Sequence, residues 1–67
     1  MYNLTRYKVG DKVIITNASK PRIEVKILAL ALRMAKVEVL TTGWWLIGSI
    51  KWLSADEWYV IAKVKEG

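Results

Sequence analysis

Apolar and polar residues alternate along this chain in several short runs, and a period of two marks strands with one wet face. The clearest run is Ile23 to Ile27, where Glu24 and Lys26 separate Ile23, Val25 and Ile27. Lys36 to Thr41 repeats the pattern, with Val37 and Val39 on one face and Glu38 on the other. Before them, Gly10 and Asp11 signal a turn, and the β-branched run Lys12 to Thr16 reads as a strand. Asn17 to Pro21 reads as a loop, because Pro21 lacks a donor and pushes Lys20 into an extended conformation. Trp44 to Leu53 is dense in aromatic and β-branched residues, broken by Gly48 and Ser49, a pair that fits a tight hairpin or a bulge. Ser54, Ala55, Asp56 and Glu57 match a capping box and predict one helical turn, after which Trp58 to Val64 returns to strand character.

The middle third pulls two ways. Ala29 to Lys36 is rich in helix formers, and Ile23, Ile27, Leu30, Met34 and Val37 fall near one helical stripe. The charges at Glu24, Lys26, Arg33 and Lys36 do not gather on the opposite side of that stripe, and the segment opens with three β-branched residues, Ile23, Val25 and Ile27. The spacing is therefore read as a long bent strand. In the register set by Glu24 and Lys26, Leu28, Leu30 and Leu32 land on the wet face unless a bulge or bend turns them inward. The expected fold is all-β, with about five strands and one helical turn before the last. No linker, repeat or low-complexity tract divides residues 1–67, so one domain is expected.

This order resembles the SH3-like barrel superfamily, which includes Tudor and KOW-type small barrels. Val9 to Val13 is similar to the opening of their first strand. Val25 to Leu28, Val37 to Leu40 and the pair Trp44 and Trp45 resemble their central meander. Leu53 to Val60 is similar to the helical turn that leads into their closing strand. The resemblance implies a single five-stranded barrel that works by binding. It does not imply a methyl-lysine reader, because the loop from Asn17 to Arg22 supplies no aromatic residue for a cage.

Composition narrows the chemistry. With 67 residues and neither cysteine nor histidine, the chain has no disulfide staple and lacks the usual zinc ligands and the commonest general base. The nearest paired carboxylates, Asp56 and Glu57, fit the first turn of a capped helix. No catalytic residue, cofactor or metal is expected. The longest uncharged stretch, Val39 to Ile50, is too short to span a bilayer, and no apolar leader precedes Lys8, so a cytoplasmic location is expected.

Net charge is +5, divided as +6 over residues 1–36 and −1 over residues 37–67. Such an asymmetry suits a polyanion, because attraction to phosphates is cumulative and independent of sequence. Lys20, Arg22, Lys26 and Lys51 are the candidate phosphate contacts, and Trp44 or Trp45 the candidate stacking residue for DNA or RNA. The same residues also fit an ordinary solvated face and a packed core. A hydrophobic fraction of 54% in so small a domain leaves apolar surface over. Leu28, Leu30 and Leu40 are therefore candidates for a protein interface, including one between copies of the chain.

Overall fold

The computed structural model describes residues 2–17, 20–41, 43 and 45–64, with the backbone alone at Tyr2 and Lys20. Strand β1 (Tyr2–Asn3) leads into a 3-10 turn (Leu4–Arg6). There follow β2 (Lys12–Asn17), β3 (Lys20–Leu30), β4 (Met34–Val39), β5 (Ile50–Ser54) and β6 (Tyr59–Lys63). Every ladder is antiparallel, and the strands form one sheet in the order β1-β6-β2-β3-β4-β5. The all-β class agrees with the alternation. Among the described residues the sheet is open, with β5 and the two-residue β1 at its edges, and the ladders do not close the expected barrel.

Alternation places the core. Val13, Ile15, Ile23, Val25, Ile27, Val37, Val39 and Val60 are fully buried along one face, joined by Ala35 and Leu53. Removing each large aliphatic side chain from water contributes roughly 1.5–3 kcal/mol, which is how a chain without disulfides holds together. Leu4 completes this core from the 3-10 turn, which packs against β4. Asn3 caps that turn: its Oδ1 accepts the Thr5 amide at 2.9 Å and the Thr5 hydroxyl at 2.6 Å. Nothing in the alternation of the first eight residues predicts this element.

The middle third is strand, as the alternation requires, but it is not one bent strand. The pairing Ile27↔Val37 is followed by Ala29↔Lys36 and Leu30↔Ala35, so Leu28 is an extra residue in a bulge. The bulge shifts the phase and sets Leu30 opposite the buried Ala35. The chain then reverses through Ala31, Leu32 and Arg33, where the Ala31 amide donates to the Met34 carbonyl at 2.8 Å. These residues lack the Gly, Pro, Asn or Asp that usually announce a turn. The flanking ladders hold the hairpin instead.

Trp44 to Leu53 is likewise not one strand. Leu46 to Ser49 form a tight turn closed by the Ser49 amide on the Leu46 carbonyl, with Gly48 at φ +87°, and β5 begins only at Ile50. Trp45 precedes that turn and lies outside any strand, whereas Trp44 lies outside the described residues. After β5, the amides of Glu57 and Trp58 both donate to the Ser54 carbonyl and the Asp56 amide donates to the Ser54 hydroxyl. The expected helical turn is thus a single hydrogen-bonded turn. Lys8 to Asp11 form the other predicted turn, with Gly10 at φ +96° and the Asp11 amide donating to the Lys8 carbonyl.

Candidate functional site

The outward face of the sheet follows from the register. Lys12 stands opposite Lys26, Lys26 opposite Glu38, and Glu38 opposite Ile50, a row that crosses four strands. In the next row Ala29 stands opposite Lys36 and Lys36 opposite Trp52. Arg22 is exposed beside the buried Ile23 and so shares the face with Glu24 and Lys26. Four bases, Lys12, Arg22, Lys26 and Lys36, therefore share one side with two acids, Glu24 and Glu38. Lys26 and Glu38 face each other without forming an ion pair. Trp52 is 50% exposed beside Lys36, which makes a large planar side chain accessible within the basic surface.

Lys51 belongs to the opposite side of the sheet, because its partner in β4 is the buried Val37. Its Nζ lies 5.3 Å from the centroid of the Trp45 ring, a cation–π distance. Trp45 in turn lies 5.6 Å from buried Trp58 with the ring planes inclined at 34°, within the distance range of an aromatic pair. Trp45, Trp52, Leu53 and Trp58 help to line a groove of about 740 Å³ that borders β5, with Asn17 and Glu57 also at its walls.

The predicted residues therefore separate. Arg22 and Lys26 come together on the outward face, and Lys51 and Trp45 come together on the other. The backbone of Lys20 opens β3, but its side chain, like Trp44, lies outside the described residues. Leu28 and Leu40 are half-buried, and Leu30 is exposed. Exposed apolar side chains include Leu46, Ile47, Ile50 and Trp52 around β5, Leu32 and Met34 at the β3–β4 hairpin, Val9 before β2, and Tyr59 and Ile61 in β6.

No protein family, curated protein or solved structure matches this chain. The chemistry of the site rests on its own geometry. Among the described residues no three His, Cys, Asp or Glu side chains gather as a metal site, and no helix is long and apolar enough to cross a membrane. Sequence reasoning missed Lys12, Lys36 and Trp52. Strict alternation through Lys51, Trp52 and Leu53 would have found the tryptophan, because an inward Leu53 obliges Trp52 to point outward.

Asp11 carries a displaced pKa. The Lys8 amide donates to its Oδ2 at 3.0 Å and holds the pKa below its ordinary value; partial burial opposes this, and Lys63, whose Nζ lies 3.5 Å from Oδ1, adds to the lowering. Asp11 thereby ties the turn before β2 to the end of β6, away from the basic face.

Proposed function

We propose that the protein is a non-catalytic module that binds nucleic acid, DNA or RNA, on the outward face of β2 to β5. The observation that carries this reading is Trp52, half exposed and next to Lys36 on a surface that also holds Lys12, Arg22 and Lys26. Lysines and an arginine attract phosphates whatever the sequence, and an accessible indole stacks on an unpaired base. Glu24 and Glu38 temper the attraction and favour a moderate affinity. The SH3-like relationship belongs to the same proposal. It is supported by the antiparallel meander β2-β3-β4-β5 and by β6 returning beside β2 after a single turn.

The test is a titration of labelled single-stranded and duplex DNA at two salt concentrations. Binding is expected to weaken with salt by about 0.9 log unit per log unit for each duplex phosphate neutralised, and Lys26→Gln or Lys36→Gln each to reduce that slope by about one contact. Absence of binding at low salt would dispose of the reading.

A further inference from the structure

We infer that two copies of this chain associate edge to edge through β5, forming one continuous antiparallel sheet about a two-fold axis at Trp52. The ladder with β4 fixes which backbone groups are open. Just outside the ladder, the Val39 amide donates to the Ser49 carbonyl at 2.9 Å and the Ala55 amide to the Arg33 carbonyl at 2.9 Å. In the same register the hydrogen-bonded pairs within the ladder are Val37↔Lys51 and Ala35↔Leu53. The amides and carbonyls of Ile50 and Trp52, and the amide of Ser54, therefore point away from β4, and no partner for them occurs among the described residues. The Ser54 carbonyl is occupied by the turn that follows.

Edge strands are commonly blunted by charge, proline or shortness. Here the outward side chains of the edge are Ile50, Trp52 and Ser54, none of them charged. Its one charged residue, Lys51, has its ammonium over Trp45. A second copy is the occupant that this edge fits. Antiparallel pairing centred on Trp52 sets Ile50 of each chain opposite Ser54 of the other, so that the open Ser54 amide meets the open Ile50 carbonyl. It also carries Leu46 and Ile47, 82% and 59% exposed before β5, to the far end of the partner's edge, where that copy exposes Leu32 and Met34. The contact uses backbone edges, so the Trp52 indoles stay on the outward face and two basic surfaces become contiguous.

A five-residue edge is smaller than the roughly 1,600 Å² of a standard interface, so the dimer is expected to dissociate in the micromolar range. Sedimentation of the whole chain across about 1 µM to 1 mM should move from the 7.7 kDa monomer toward twice that mass. Amide exchange read in parallel should slow at Trp52 and Ser54 as concentration rises, while Lys51 and Leu53 stay protected throughout. Ile50→Lys and Leu46→Glu, both at exposed positions, should each weaken association at least tenfold, whereas Ile61→Lys in β6 should leave it unchanged. A monomer at every concentration overturns the inference. So does a dimer broken by Ile61→Lys rather than by Ile50→Lys. These readouts contain no nucleic acid, so a failure here is distinct from a failure to bind DNA or RNA.

Discussion

Trp52 and Trp58 show how one residue type takes two roles within seven positions. Trp58 is buried beside Trp45, and Trp58→Ala is expected to cost about 3–5 kcal/mol of stability by opening a cavity. Trp52→Ala, at a half-exposed position, is expected to cost only about 1 kcal/mol, roughly half of what full burial of a large apolar side chain contributes. The same substitution should weaken single-stranded DNA binding by about 1–3 kcal/mol through lost stacking. Urea unfolding and a binding titration on both variants separate the roles, and a large stability loss in Trp52→Ala would remove it from the proposed surface. Asp11 makes a prediction of another kind. Its folded-state pKa is lowered, so its stabilising contribution is complete above the ordinary carboxylate pKa and is lost as pH falls through the folded value. Asp11→Asn should flatten the fall in urea midpoint below about pH 4, and an unchanged acid limb would contradict the linkage.

At the scale of elements, the strands were legible where alternation is strict and obscure where the backbone departs from it. Ile23 to Ile27 and Val37 to Val39 read directly, because each inward residue is aliphatic and each outward one charged. The β3–β4 hairpin was not legible, since its reversal at Ala31 to Arg33 uses no turn-forming residue and its phase is reset by the bulge at Leu28. The start of β5 was hidden for a different reason: Trp45 and Leu46 have strand-like side chains but belong to the connection. The ladder of β5 carries its own prediction. Lys51→Pro removes an amide directed at β4 and should cost about 3 kcal/mol or more, whereas Trp52→Pro removes an amide directed away from the sheet and should cost much less. Thermal unfolding of the two variants decides it. Equal losses would mean that the hydrogen-bond alternation is misassigned.

Across the whole molecule, charge and fold combine in a way that composition only foreshadowed. The basic first half of the chain supplies β2, β3 and the start of β4, so register gathers Lys12, Arg22, Lys26 and Lys36 on one side. Lys51 shares their charge but not their face, because the parity of β5 sends it to the other side, onto Trp45. The candidate site was thus half legible: the outward bases of β3 could be read from alternation, but the tryptophan that accompanies them depended on where β5 begins. The most direct test of the account is the mapping of backbone amide shifts while a short single-stranded oligonucleotide is added at low salt. The account predicts changes concentrated at Lys12, Lys26, Lys36 and Trp52, reversed by added salt. Changes confined to Trp45, Lys51 and Trp58 on the other side of the sheet, or none at all, would contradict it.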